Sequence, residues 1–182
     1  MKIALAQLNP VVGDIAGNTA KMLRYIDRAA AEGAELVVFA ELSVVGYPPR
    51  DLLRKDHFVA DNLAAVETLA KACTKIAALV GFARPTPSGS GRPLQNCAAL
   101  LAGGKIVHVH AKSLLPTYDV FDETRYFEPG GPTGKCDVRS MGVPPMSPTG
   151  VSPVSSSSVS SPAQEQPQKQ HQQLQRPRAG RP

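Results

Sequence analysis

Tryptophan is absent from the 182-residue chain, and aromatic residues of any kind make up only 5% of it. Cysteine is scarce too. Cys73, Cys97 and Cys136 form no CxxC pair and no pairing with histidine at zinc-site spacing. An odd thiol count without a secretory leader argues against a disulfide framework and predicts a reducing, cytoplasmic setting. No apolar run approaches the ~18 residues needed to cross a bilayer. The opening Met-Lys-Ile-Ala-Leu-Ala-Gln-Leu is too short for a signal h-region. A soluble chain with no membrane partner is expected.

Excess charge is missing from most of the chain as well. The net charge of +5 divides unevenly: residues 1–134 carry 14 Lys+Arg against 13 Asp+Glu, and residues 135–182 carry 6 against 2. The basic pI therefore belongs to the tail. A nucleic-acid footprint needs Lys and Arg clustered on one element with aromatics between them, and residues 1–134 lack that arrangement. No nucleic-acid partner is expected.

The periodicity that is present reads as alternating strands and helices. Lys2 to Leu8 is a short apolar run, predicted to be a buried strand. Asn18 is placed to cap a helix with apolar positions Met22, Ile26 and Ala29, stopped by Gly33. Glu35 to Ala40 predicts a second strand. A helix over Asp61 to Lys75 would present Leu63, Val66, Ala70 and Cys73 on its core face. Ile76 to Phe82 predicts a third strand, and residues 84–93, rich in Pro, Ser and Gly, an exposed loop. Leu94–Leu101 and Lys105–Lys112 flank Gly103-Gly104, a hairpin signal. The order predicts an α/β layer with a mixed sheet. His108 and His110 share one strand face but find no third ligand, so a solvated or packed face is expected and no metal. From about residue 135 onward Ser, Pro, Gln and Arg take over. Residues 140–182 hold no Phe, Tyr, Ile or Trp and a single leucine, Leu174. Such a segment buries too little to offset about 1–2 kcal/mol per residue of backbone ordering entropy, and disorder is expected.

Two charged residues cap strands. Glu41 follows the apolar run 36–40, at the carboxyl end of a strand where open α/β sheets place ligands. Partial burial there would raise its pKa and suit a general base; on spacing alone, a carboxylate that simply opens a loop fits as well. Lys112 ends the last predicted strand, either as a cation stabilising an oxyanion or as a snorkelling surface lysine. Each is followed six residues on by a tyrosine, Tyr47 and Tyr118. The rigid Pro48-Pro49 turn behind Tyr47 would shape a pocket wall. After Lys112, a loop to Gly130 delivers four aromatics and four acids, a composition that suits a substrate loop beside a fixed cation.

The segments Lys2 to Asn18 (KIALAQLNPVVGDIAGN), Leu36 to Leu53 (LVVFAELSVVGYPPRDLL) and Lys112 to Gly131 (KSLLPTYDVFDETRYFEPGG) resemble the nitrilase, or carbon–nitrogen hydrolase, superfamily. Within it they are most similar to the N-terminal glutaminase domain of the glutamine-dependent NAD(+) synthetases. The resemblance implies the N-terminal part of an αββα sandwich with a Glu-Lys-Cys triad. By that match Glu41 is the general base and Lys112 stabilises the tetrahedral intermediate, while Tyr47, Tyr118 and Phe121 line a glutamine pocket. It also implies ATP and magnesium for a separate synthetase domain, with no cofactor for this part, and homo-oligomers in the family.

The resemblance also exposes a gap. The family's nucleophile lies in a motif resembling Cys-Glu-Asp-x-Trp, and this sequence contains no such run. Cys136 is the only cysteine after Lys112 and lacks a preceding apolar strand to position it, so no nucleophile is assigned. The expected organisation is therefore a partial hydrolase domain over 1–134 and a low-complexity tail over 135–182. A shift of reading frame between about Gly131 and Ser140 would account for the change. An incomplete sandwich predicts open edges, an exposed core face and no turnover by the chain alone. Two rival readings remain at this stage: a different superfamily amidase, or a non-enzymatic binding protein with a Pro/Ser/Gln-rich arm.

Overall fold

The computed structural model describes residues 1–87 and 91–131, together with the backbone of Lys135–Cys136. Its six strands, in chain order, are β1 (Ile3–Ala6), β2 (Leu36–Phe39), β3 (Ala77–Pro85), β4 (Leu94–Ala102), β5 (Lys105–Ala111) and β6 (Lys135–Cys136). They form one sheet in that same order. β1, β2 and β3 are parallel, joined by helices α1 (Ile15–Ala31) and α2 (Asp56–Ala72); β3 to β6 run antiparallel. This is the mixed α/β sheet expected, and it supplies one helical layer and one sheet of a nitrilase-like fold. The tail expected from residue 135 onward lies outside the described residues, apart from the backbone of β6.

Both helices cover one face of the sheet. Met22, Ile26 and Ala29 of α1 and Val66, Leu69 and Ala70 of α2 meet Val37, Val80, Phe82, Ala99 and Val109 in a single core. Cys73 and Cys97 lie in that core at 0% and 3% exposure, where a free thiol packs as a small hydrophobe. Burial raises the Cys73 thiol to about 11, away from a reactive thiolate.

The other face of the sheet is incompletely covered. The apolar run predicts a buried β1, but Ile3 and Leu5 are 47% and 73% exposed. Leu36, Val38, Leu79 and Leu100 on the same side are only half-buried. The open apolar face predicted for an incomplete sandwich is thus present among the described residues.

Several local expectations are corrected. α1 begins at Ile15, and its N-cap is Asp14, whose carboxylate accepts from Gly17 N at 2.9 Å. Asn18 sits inside the helix, 2% exposed. It accepts from Val11 N and donates to the carbonyls of Val11 and Val44, tying the β1–α1 connection to the turn after β2. α2 starts five residues earlier than the periodicity suggested, because Phe58 adds an anchor to a second, smaller core. β3 continues through Arg84 and Pro85, where the Pro, Ser and Gly content predicts a loop. Arg84 is buried, with its guanidinium on Gln95 Oε1 at 3.1 and 3.2 Å. The hairpin is as expected, with Gly103 and Gly104 both at positive φ. A bulge opposite Leu100 and Leu101 puts Val107 and His108 outward together, and His108 and His110 are both exposed.

Candidate active site

The sheet brings Glu41 and Lys112 to one edge by a crossing that only glycine permits. β2 and β5 are separated by β3 and β4, yet Glu41 Oε1 lies 2.8 Å from Lys112 Nζ. After β2 the chain passes across β3 at Gly81. A Cβ at that position would stand 2.4 Å from Leu42 N and 2.7 Å from Ala40 O. Gly81 O in turn accepts from Val44 N at 3.3 Å. Leu42, directly after Glu41, holds φ 48° while fully buried, at a cost of about 1–2 kcal/mol for a left-handed non-glycine residue. Buried contacts of the turn keep it there, with Gly46 N donating to Leu42 O at 2.8 Å.

Lys112 is fixed from two sides. Its backbone N donates to Asn96 O at 2.8 Å at the head of β4, and its carbonyl accepts from Gly130 N at 2.9 Å. The second contact brings the loop from Lys112 back against β5. Gly130 allows it, since a Cβ there would meet Ala111 O at 2.4 Å. Farther back, Glu128 N donates to Leu94 O at 2.7 Å, so the loop closes on the starts and ends of rigid strands.

Two residues of the site were missed by the sequence reading. Asn96, 3% exposed, donates its side-chain amide to Glu41 Oε1 and fixes that carboxylate's orientation. Glu123, 5% exposed, stands on the far side of the ammonium, with both carboxylate oxygens 3.0 Å from Lys112 Nζ. It is one of four acids in the loop, and its neighbours Asp119 and Asp122 are exposed. Composition alone did not separate it from them; its place in a 3-10 turn (Glu123–Arg125) aims it inward.

Tyr47 joins this group, donating its hydroxyl to Glu123 Oε1 at 3.0 Å. Burial, and then the Glu123 hydrogen bond and charge, hold its phenol protonated well above the ordinary tyrosine range. For Lys112, burial opposes the charge, but hydrogen bonds and charges from Glu41 and Glu123 outweigh it and raise the net pKa. Phe121 packs against Tyr47 with ring centres 6.3 Å apart, and Tyr118 meets Phe121 edge-on at 5.5 Å. Tyr118 itself is 69% exposed.

Two cavities flank the Lys112–Glu123 contact. One, of about 370 Å³, is lined by Glu41, Asn96, His110 and Lys112 among others. The second, of about 320 Å³, lies between residues 47–53 and 119–127 and includes Tyr47 and Glu123. Tyr118 and Phe121 line neither. Among the described residues, no group of three His, Cys, Asp or Glu side chains could hold a metal ion, and no helix is long and apolar enough to cross a membrane. Cys73 and Cys97 are core residues, and the Cys136 backbone pairs with Val109 on β5.

Comparison with known proteins agrees with this fold. The carbon–nitrogen hydrolase family model matches residues 2–155, beyond the point near Gly131 where the sequence reading ended the resemblance. The glutamine-dependent NAD(+) synthetase of Xylella fastidiosa is 39% identical over 145 residues, 79% of this chain and 26% of that protein. The structure of the Acinetobacter baumannii glutamine-dependent NAD+ synthetase, in complex with ADP, superposes with a TM-score of 0.65 at 38% identity. That match covers 70% of this chain and 24% of the other. An amidase from Nesterenkonia sp. gives a TM-score of 0.59 at 25% identity, covering 71% and 48% of the two chains. The chain spans about a quarter of the length of the curated relatives it matches. With a family match running from the first strand through the Lys112 loop, on a sheet that sets a carboxylate and a lysine at one edge, the chain belongs to the carbon–nitrogen hydrolase family.

Proposed function

We propose that the Glu41–Lys112–Glu123 group is the proton-transfer and charge-stabilising half of a site that hydrolyses the side-chain amide of glutamine. The whole-protein role that fits is that of the glutamine-dependent NAD(+) synthetases, in which the released ammonia serves ATP-dependent amidation of deamido-NAD. The observation that carries the reading is one ammonium held 2.8 Å from Glu41 and 3.0 Å from Glu123. A lysine so fixed cannot drift to solvent. It stands ready for an oxyanion without reorganising during the reaction.

In such a site, attack by a thiolate on the amide carbon forms a C–S bond, and the thiol proton passes to Glu41. Lys112 holds the oxyanion of the tetrahedral intermediate. Collapse breaks the C–N bond, Glu41 returns the proton to the leaving ammonia, and water then cleaves the thioester. Cys73 and Cys97 are sequestered in the core and cannot take the nucleophile's part. Among the described side chains, the base and the cation are in place and neither described thiol is positioned to react. Ammonia release from L-glutamine by the purified chain is expected not to exceed that of its Glu41→Ala variant; turnover above that control overturns this part of the reading.

A further inference from the structure

The loop from Lys112 to Gly130 carries Glu123 to the ammonium, and its two flanks are anchored unequally. Upstream of Glu123, residues 117–120 are all exposed. Downstream, the Glu123 carbonyl accepts from the backbone N–H of Tyr126 at 3.0 Å and of Phe127 at 2.9 Å. Phe127 is 2% exposed and packs in the second core with Leu42, the residue that follows Glu41. Tyr126 lies half-buried at the rim of that core. Whatever fixes these two residues therefore fixes the backbone of Glu123.

Burial accounts for Phe127, but Tyr126 is held by polar contacts. Its hydroxyl donates to Asp51 Oδ1 at 3.1 Å, a bond between residues 75 positions apart. Asp51 belongs to the 3-10 turn Arg50–Arg54, which Leu53 pins to the second core. Arg54 Nε lies 3.5 Å from the same Asp51 oxygen. The guanidiniums of Arg54 and Arg125 lie over the Tyr126 ring, at 5.9 and 5.6 Å from its centre. Asp51, Arg54 and Arg125 are all exposed, so this is a surface latch rather than core packing. A second tie joins the same two segments, from Tyr47 to Glu123 at 3.0 Å. A loop of this length with a single short turn needs such ties to hold one conformation.

We propose that Tyr126, latched to Asp51, is a positioning residue for the amide-hydrolysing site, holding the turn Glu123–Arg125 where Glu123 reaches Lys112. Its purpose rests on the amide-hydrolysis reading, while the geometry it enforces does not. Glu123 Oε1 stands 3.0 Å from Lys112 Nζ, and a shift of about 1 Å takes it out of hydrogen-bond range. The latch acts through backbone: Tyr126 N donates to the Glu123 carbonyl, so releasing the ring from Asp51 loosens the turn that aims the carboxylate.

Competitive acetylation of the purified chain with acetic anhydride, read lysine by lysine after digestion, tests this. Only the unprotonated amine is acylated, so an ammonium held by a carboxylate reacts slowly and a released one reacts faster. Tyr126→Phe keeps the ring and loses the hydroxyl; it is expected to raise the Lys112 rate at least about threefold. Asp51→Ala should match it, and Asp51→Asn, which keeps an acceptor, should stay near the parent. Glu123→Gln raises the rate directly. Adding Tyr126→Phe to it should change nothing further, because both act through one contact. Lys21 of α1 is the internal reference. Val59→Ala thins the second core and keeps Tyr126 and Asp51; it should lower the thermal midpoint and leave Lys112 at the parent rate. A parent-like Lys112 rate in Tyr126→Phe, a further rise on adding it to Glu123→Gln, or an equal rise in Val59→Ala each overturns the proposal. None of these readouts measures ammonia release, on which the amide-hydrolysis reading stands or falls.

Discussion

Gly81 of β3 lies directly beneath the backbone that joins Glu41 to Leu42, close enough that a methyl group would stand 2.4 Å from Leu42 N. That contact lets a carboxylate leaving β2 reach a lysine leaving β5, across two intervening strands. Gly81→Ala should cost about 1–3 kcal/mol through overpacking against backbone that cannot yield. A lowered urea midpoint at unchanged m-value would check this, and an unchanged midpoint would show that the crossing is looser than the geometry requires.

The alkaline limb of stability should report on the site. Both Tyr47 and Lys112 have pKa values raised in the folded state, so the folded chain holds protons that the unfolded chain releases near pH 10. Their contribution is full below about pH 10 and is lost as pH rises through the folded values. Tyr47→Phe removes the phenol and should flatten the fall of the thermal midpoint between about pH 9.5 and 11, while costing about 1 kcal/mol at neutral pH for the lost bond to Glu123. A parallel fall in both proteins would mean that the phenol titrates as if unfolded.

At the start of α1, the cap that the spacing placed at Asn18 is supplied by Asp14. Asp14 is an exposed cap with one bond to Gly17 N, and Asp14→Ala should cost about 1 kcal/mol. Asn18 is buried with three bonds, to Val11 and Val44, and Asn18→Ala should cost more, about 2–3 kcal/mol, by leaving backbone groups unsatisfied. Equal losses in urea denaturation would argue against this assignment.

The asymmetry at α1 shows what sequence could and could not give. Helix and strand order followed from periodicity, because Met22, Ile26 and Ala29, or Val66 and Ala70, repeat on the spacing that one buried face demands. Glu41 and Lys112 were visible because each is a charge that ends an apolar strand. Asn96 and Glu123 were not. One lies within an ordinary β4 strand and the other among four similar acids, and their importance arises only from the approach of chain segments distant in sequence. The exposure of Leu5 was hidden for the same reason, since an edge strand with an open face reads the same as a buried one.

The central claim is that Glu41 and Lys112 belong to an amide-hydrolysing site, and a chimera tests it most directly. Residues 1–131 of this chain would replace the matching segment of the Xylella fastidiosa relative, which restores a full-length partner for the open sheet face. Ammonia release from L-glutamine is predicted for the chimera, with a loss of at least about 10³-fold in kcat for Glu41→Gln and for Lys112→Met at unchanged thermal midpoint. A folded chimera whose ammonia release survives both substitutions would contradict the account.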